Sequence, residues 1–206
     1  MPNLPSFDPW IELRWPVMGD RIKLDHCYRL YAALIGVDPR LKELDWQQGG
    51  IAGQQIDRDW IKLGRDSHLM LRCPLSSHSV LEALDGRSIR IGQSIIELGV
   101  SEGNAIVPSS NLYSPFVTTK TILVFDPFSF GVSIGKQLQS IGIQTSPILG
   151  DRKTIKIKDD IVQGFALRFC ALEPEASMIL QSFGLGGRRK IGGGVFSAFQ
   201  IPHDRS

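Results

Sequence analysis

The order in which hydrophobic periods follow one another along this chain is the feature that most constrains its fold. Apolar and polar residues alternate in WIELRWPV (10–17), which predicts a strand with one buried face. Apolar residues then recur at helical spacing from about Asp25. The predicted elements that follow are two strands, a short helix and a strand, at RDWIKLG (58–64), HLMLRCP (68–74), HSVLEAL (78–84) and SIRIGQSIIEL (88–98). The order is therefore strand, helix, strand, strand, helix, strand.

The same order of elements returns after about residue 112. The segment YSPFVTTKTILVF (113–125) is rich in β-branched residues and is expected to be extended. Asp126 and Pro127 fit the N-cap and the first residue of a helix that runs to Gly142. The remaining predicted elements are a hairpin, a helix and a final strand, at KTIKIKDDIVQGFALRF (153–169), EPEASMILQSFG (173–184) and GVFSAFQI (194–201).

Two βαββαβ orders in tandem predict an α+β fold made of two ferredoxin-like domains, residues 1–112 and 113–206. A glycine-rich loop precedes the last strand of the second domain. Because the ferredoxin-like fold hosts many functions, the function has to be argued from sites within it.

Composition excludes several classes of function. The three cysteines form no CxxC pair, and the four histidines show no metal-ligand spacing, so we expect no metal and no cofactor. No apolar run approaches the roughly 20 residues that span a bilayer, and the N-terminus lacks the pattern of a secretory signal. We therefore expect a cytoplasmic protein without a membrane anchor. The formal net charge of +2 leaves the distribution of charge to decide whether nucleic acid is a partner.

The loop GLGGRRKIGGGVF (184–196) combines many glycines with three consecutive cations. Glycines allow close backbone approach and positive φ, and consecutive amides can form an anion-binding nest. The loop contains neither GxGxxG nor the phosphate-binding GxxxxGK[ST] pattern. The candidate RNA-binding residues are Gly184, Gly186, Gly187, Arg188, Arg189, Lys190, Gly192 and Gly193. The alternative is a flexible connection with solvated charges.

A second basic feature lies in the predicted hairpin. Lys153, Lys156 and Lys158 are interpreted as alternating along one strand, which would make one face of that strand largely cationic. Such a face suits a surface that follows RNA phosphates, and these three lysines are therefore further RNA-binding candidates.

His26 is the candidate for acid–base chemistry. On a helical wheel it falls opposite the apolar stripe of the first helix, so we expect it to be exposed in a cleft or to solvent. With Asp25 as N-cap, His26 would lie in the first turn, where free amides favour a bound phosphate. An imidazole that titrates near neutrality beside a phosphate is what acid–base cleavage of RNA requires. The alternative is a surface histidine without a function.

Three stretches together resemble one family: LRWPVMGDRIKLDHCYRLYAAL, PILGDRKTIKIKDDIVQGFALRF and LQSFGLGGRRKIGGGVF. They resemble the RAMP proteins of CRISPR systems and, within them, the Cas-six family of repeat-processing endoribonucleases, in particular its MYXAN branch. The three stretches come from both halves of the chain and occur in the family's order. Residues 36–66 and 85–112 carry little of the resemblance.

The resemblance implies a metal-independent endoribonuclease that binds the stem-loops of CRISPR repeats. The ribose 2′-hydroxyl attacks the adjacent phosphate and leaves a 2′,3′-cyclic phosphate and a 5′-hydroxyl. His26 matches the family's catalytic histidine and would be the general acid or base. Arg29 and Tyr31 are candidates for a shared role, although Tyr28 and Tyr31 also lie on the apolar stripe, where a core role is expected.

The resemblance also implies partners. These are the CRISPR repeat RNA or its crRNA product and the other Cas proteins of a type I effector complex. The rival interpretation is a non-catalytic RAMP subunit that holds guide RNA in a CRISPR effector or CRISPR-associated transposon complex. A third interpretation is an unrelated ferredoxin-like enzyme acting on a small phosphate, which would need a closed pocket.

Overall fold

A computed structural model describes residues 8–119, 126–158 and 160–199 of the chain. The chain divides into two compact units, residues 1–106 and 107–206. The sequence-based boundary at residue 112 lies a few residues later, at the first residue of a strand of the second unit.

The first unit is a mixed α+β unit built around an antiparallel sheet. Its helices are α1 (Cys27–Val37) and the short α2 (His78–Leu81). Its strands are β1 (Trp10–Met18), β2 (Arg21–Lys23), β3 (Gln47–Ala52), β4 (Gln54–Gln55), β5 (Trp60–Lys62), β6 (His68–Pro74), β7 (Ser88–Ile91), β8 (Ser94–Leu98) and β9 (Glu102–Ala105). The main sheet has the order β3-β6-β1-β8-β7, with β9 also paired to β1, and β2, β5 and β4 form a small separate sheet.

The period-two pattern of β1 has the predicted effect. Leu13, Trp15 and Val17 are buried on one face, where Leu30 and Leu34 of α1 belong to the same core cluster. Because β1 is central and pairs with β6, β8 and β9, it joins the strands that follow α1 to those that follow α2.

One strand prediction for this unit is wrong, and one strand was not predicted. RDWIKLG contains the predicted strand, β5, which belongs to the small sheet, whereas the edge strand of the main sheet is the unpredicted β3, whose sequence QQGGIA has no apolar alternation. SIRIGQSIIEL is a hairpin of β7 and β8, because Gly92 takes a φ of 63° and turns the chain. The prediction treated this segment as one strand because Ile residues continue across the turn.

The second unit follows the predicted order. Its elements are β10 (Leu112–Val117), α3 (Pro127–Ser140), β11 (Ile148–Ile157), β12 (Asp160–Phe169), α4 (Pro174–Phe183) and β13 (Ser197–Ala198). The sheet order is β11-β12-β10-β13, and α3 and α4 contribute Phe130, Ile134 and Leu180 to one core with β10 and β12. The α+β class is confirmed, and the order of elements is consistent with tandem ferredoxin-like units.

Local signals set the ends of these elements. The Asp126 carboxylate accepts hydrogen bonds from the amides of Phe128 and Ser129, as predicted for an N-cap. α3 ends at Ser140, and the described part of the last strand is only the two residues of β13. Residues 120–125 of the predicted extended segment, Asp159 of the hairpin, and residues 200–201 lie outside the described residues.

A buried ion pair crosses the sheet of the first unit. Glu12 of β1 and Arg72 of β6 are directly opposite each other, and the Arg72 side chain is only 2% exposed. Its Nε and Nη2 lie 2.9 and 2.7 Å from Oε2 of Glu12. Burial alone would raise the pKa of Glu12, but the charge and hydrogen bonds of Arg72, with those of Arg14, outweigh it and hold the pKa below its usual value.

We expect Glu12→Gln to lower the free energy of unfolding by about 3–5 kcal/mol, because it leaves a buried guanidinium without its counter-charge. The matched control is Arg14→Gln, which removes the more exposed cation on the same carboxylate and should cost less than about 1 kcal/mol. Urea unfolding followed by circular dichroism measures both values. Equal costs for the two variants would contradict the assignment.

Candidate nucleic-acid interface

The glycine-rich loop is a folded structure. α4 ends at Gly184, which has a φ of 63°, and a short 3₁₀ turn follows at Arg189–Ile191. The amide of Leu185 donates to the carbonyl of Gly194 at 3.1 Å, which closes the loop at its base. The amide of Gly186 donates to the Gln137 side chain of α3 at 2.8 Å. The loop is therefore anchored to both helices and is not a flexible connection.

Several glycine amides of the loop are already used. Gly187 donates to the carbonyl of Thr118 at 3.1 Å and Gly194 to that of Phe116 at 2.7 Å. Gly192 and Gly193 donate to the carbonyls of Arg189 and Arg188. The idea that these amides form an anion-binding nest is therefore wrong for this conformation, since each of them has a protein acceptor.

Glycine is required at this loop for backbone approach. A Cβ on Gly194 would collide with the carbonyl oxygen of Leu185, and a Cβ on Gly186 would collide with that of Thr118. Both residues also have positive φ, of 69° and 72°. The glycines thus form a tight frame, and in this conformation their amides are not available to a phosphate.

The three cations of the loop differ in exposure. Arg188 is exposed and adopts a left-handed conformation with a φ of 67°, which is uncommon for a residue with a side chain. Arg189 and Lys190 are half-buried in the 3₁₀ turn that follows. Loop folding therefore places three cations on consecutive residues at a turn, where their charges are close together.

The hairpin lysines do not share one face. Register along β11 and β12 places Lys156 opposite Ile161 and Lys153 opposite Gly164, so these two lysines point to opposite sides of the sheet. Lys158 lies in the turn after β11, with a φ of 53°. Arg152 has the same parity as Lys156 and is also exposed. The cationic face of the strand is therefore carried by Arg152 and Lys156, and the prediction of one face for all three lysines is wrong.

His26 is buried, and the prediction that it is exposed is wrong. Its side chain is 4% exposed, and the residue is the N-cap of α1 in place of Asp25. Nδ1 donates to the carbonyl oxygen of Lys23 at 2.8 Å, and Nε2 accepts from the amide of Ile51 at 2.9 Å. β3 covers the imidazole from a different part of the chain, which a helical wheel of α1 does not represent.

The surroundings of His26 favour its neutral form. Burial lowers the pKa of His26 below its usual value, and the hydrogen bond to Lys23, which acts in the opposite direction, is the smaller effect. The two hydrogen bonds place the proton on Nδ1 and the lone pair on Nε2. In this arrangement both ring nitrogens are engaged with the protein backbone.

The two other catalytic candidates occupy different environments. Tyr31 is half-buried, packs against the core of the first unit and stacks on Trp46 with ring centroids 6.0 Å apart. Arg29 is exposed on α1 and lies against the turn at Gly92. Tyr31 therefore has the surroundings of a core residue, while Arg29 is available to a ligand.

Sequence reasoning missed Lys23 and Trp60. Both line a cavity with Arg29, and the Lys23 Nζ lies 4.2 Å from the centre of the Trp60 ring. Lys23 precedes His26 by three residues, but its position as the cross-strand neighbour of Trp60 depends on the β2–β5 pairing, which the sequence pattern did not predict.

Comparisons with known proteins agree on one family. The family model described as Cas6 Crispr matches residues 11–201. The CRISPR-associated endonuclease Cas6 of Myxococcus xanthus is 32% identical over 188 residues, which is 91% of this chain and 80% of that protein. A Cas6-related protein of Pyrococcus furiosus has a similar fold, with 13% identity, a TM-score of 0.63 and coverage of 91% of this chain and 98% of that one. A RAMP protein described as binding different RNA substrates gives a TM-score of 0.64 at 12% identity, covering 93% and 99%.

Among the described residues, no helix is both long and apolar enough to cross a bilayer. Within the same residues, no group of three or more histidine, cysteine, aspartate or glutamate side chains is arranged to hold a metal ion.

Stability should depend on pH through His26. Because its folded-state pKa lies below the unfolded value of about 6.5, the unfolded chain binds a proton first as the pH falls. The free energy of unfolding should therefore decrease below pH 6.5, by at most about 1.4 kcal/mol per pH unit, until the folded state also protonates. Urea unfolding at pH values between about 7.5 and 5, in steps of roughly half a pH unit, measures this slope. His26→Gln should flatten it, and an unchanged slope in that variant would contradict the assignment.

Proposed function

This chain belongs to the Cas6 family, and we propose that it binds CRISPR repeat RNA and cuts the precursor transcript into guide RNAs. The observation that carries the proposal is the 32% identity to the Myxococcus xanthus endonuclease across 91% of the chain. The match includes both compact units and the folded glycine-rich loop. The proposed reaction needs no metal: the ribose 2′-hydroxyl attacks the adjacent phosphate, the P–O5′ bond breaks, and a 2′,3′-cyclic phosphate and a 5′-hydroxyl result.

The proposed RNA contacts are electrostatic. Arg188, Arg189 and Lys190 would pair with phosphates at the turn of the folded loop, and Arg152 and Lys156 would do so along the hairpin. Such contacts displace counterions and make affinity depend on salt. In this proposal the glycines act indirectly, because they allow the backbone fold that presents the cations.

For His26, the proposed role is general base or acid, and it requires a local rearrangement. In the described conformation the lone pair of Nε2 is occupied by the amide of Ile51. Movement of β3 away from α1 would free that lone pair, while the carbonyl of Lys23 would continue to hold the proton on Nδ1. Nε2 could then remove the proton from the 2′-hydroxyl, and the resulting imidazolium could supply a proton to the leaving 5′-oxygen.

The second candidate function is a non-catalytic subunit that holds guide RNA. The specific observation in its favour is the burial of His26 with both ring nitrogens hydrogen-bonded, since a histidine in that state exchanges no proton with a substrate. The loop and hairpin cations would serve this function equally well. Under either function we propose that the RNA-bound chain joins other Cas proteins of a type I effector complex, or the complex of a CRISPR-associated transposon.

Cleavage of a labelled repeat RNA from a CRISPR array of the source genome, with EDTA present throughout, separates the two functions. We expect wild type to cut and to leave a cyclic phosphate end. His26→Gln places an amide oxygen near the position of Nε2 but cannot exchange a proton near neutral pH, and it should cut about a hundred- to ten-thousand-fold more slowly.

His26→Ala serves as the structural comparison. It loses both hydrogen bonds and should be less stable than His26→Gln, while the affinity of the folded protein for RNA should be retained. If His26→Gln cut the RNA at the wild-type rate, His26 would have no role in the cleavage reaction. Tight binding without cutting by wild type would instead identify the guide-holding function.

Charge removal from the loop should change the salt dependence of binding. For Arg188→Gln/Arg189→Gln/Lys190→Gln, we expect weaker binding and a salt slope reduced by about 0.7 to 0.9 log units per lost phosphate contact. The matched control removes three exposed cations of the first unit, Arg65→Gln/Arg87→Gln/Arg90→Gln. Filter binding between about 50 and 300 mM salt, over which the Debye length falls from roughly 14 to roughly 6 Å, gives both slopes. Equal salt slopes in the two triple variants would show that the loop cations are solvated surface charges that do not contact the RNA.

A further inference from the structure

The first unit contains a cavity of about 420 Å³ at the start of α1. Its lining comes from four separate elements: Lys23 of β2, Arg29 of α1, Trp60 of β5, and residues 91–94 at the β7–β8 turn. The volume lies in the range of about 300–1,000 Å³ that is typical of small-molecule and nucleotide-sized pockets. The cavity is built by long-range pairing of chain segments and is therefore a property of the fold.

The lining is cationic. It contains the side chains of Lys23 and Arg29 and no carboxylate. Among the described residues, Arg29 has no ion pair or side-chain hydrogen bond, and its Nη1 lies 3.2 Å from the position that a Cβ on Gly92 would occupy. Lys23 pairs with Asp59 at 3.3 Å, but with 39% and 70% of their side chains exposed this pair is weak and readily exchanged for a phosphate.

The cavity also presents an aromatic surface. The Trp60 ring is half-buried, with the Lys23 Nζ at 4.2 Å and the Arg21 guanidinium carbon at 4.5 Å from its centroid. The other tryptophans, Trp10, Trp15 and Trp46, are at most 8% exposed. Both cations lie over the ring, and a base that stacks on Trp60 would take the place of one of them; proteins that bind single-stranded nucleic acid combine aromatic rings and cations in this way.

We propose that this cavity holds one unpaired nucleotide of the bound RNA, with its base against Trp60 and an adjacent phosphate between Arg29 and Lys23. The Gln93 amide at the rim can donate to and accept from a base edge. This inference rests on the proposed function, because it names the part of the RNA that this cavity takes.

An RNA strand fits the cavity better than a free nucleotide. Arg29, Gly92 and Gln93 are all exposed, so one side of the cavity is open and a strand can enter and leave it. The cavity is not the closed pocket that an enzyme acting on a small phosphate would need. Lys23 also accepts the hydrogen bond of His26 through its carbonyl, so the backbone that lines the cavity is bonded to the imidazole of the proposed catalytic histidine.

An abasic scan of the RNA tests the proposal. The probe is the labelled repeat RNA, with each unpaired nucleotide replaced in turn by an abasic one, titrated into wild type and Trp60→Leu. We expect one abasic position to weaken binding to wild type about tenfold or more, and to have no further effect in Trp60→Leu. Trp60→Phe, which keeps an aromatic ring, should retain most of the position-specific loss.

Two further measurements define the site. Arg29→Gln should reduce the salt slope by about 0.7 log units, the value for one phosphate contact on a single strand, whereas Arg90→Gln on neighbouring β7 should leave it unchanged.

Because Trp60 is the accessible tryptophan of the four in the sequence, RNA should quench tryptophan fluorescence in wild type and not in Trp60→Phe.

The outcomes separate this inference from the proposed function. Binding and cutting with equal abasic losses in wild type and Trp60→Leu would overturn the cavity assignment alone. The cavity assignment would also be overturned if nucleoside monophosphates quenched the tryptophan fluorescence as strongly as RNA at the same nucleotide concentration. The cavity would then be a small-molecule site. Failure of wild type to bind any repeat RNA would overturn both.

Discussion

The need of buried polar groups for hydrogen-bond partners determines which residues of this protein are free to act on a ligand. In the first unit it pairs Arg72 with Glu12 across the central strand and holds His26 between Lys23 and Ile51. In the second unit it occupies the glycine amides of the glycine-rich loop with carbonyl oxygens of the same unit. What remains for a ligand is a set of side chains at the surface that these bonds position.

The glycine-rich loop illustrates this division of roles. Its glycines allow carbonyl groups to approach the backbone at positions where any Cβ would collide, and the resulting bonds fix the loop. A fixed loop holds Arg188, Arg189 and Lys190 at a turn without the loss of backbone entropy that a mobile loop would undergo on binding. Rigid presentation of charge is thus a better account of the glycines than direct contact with a phosphate.

How much could be predicted from the sequence differs between local and long-range features. The strand period of β1, the Asp126 cap and the Gly184 end of α4 are local, and these predictions are confirmed. β3 was missed because a strand of glutamine and glycine shows no alternation, and the burial of His26 was missed for the same reason, since β3 is what covers it. The prediction that the hairpin lysines share one face is wrong because residues 153 and 156 differ in parity, a difference that the sequence numbers alone already contain.

His26 and the neighbouring cavity connect these points. The Lys23 carbonyl fixes the tautomer with the lone pair on Nε2, which is the nitrogen that a general base needs, and burial keeps the ring neutral and so able to accept a proton. Only the Ile51 amide occupies that lone pair. For the role proposed for His26, β3, an edge strand that contains Gly49 and Gly50, has to move so that the imidazole is uncovered and the Ile51 hydrogen bond, worth about 1 kcal/mol net, is broken.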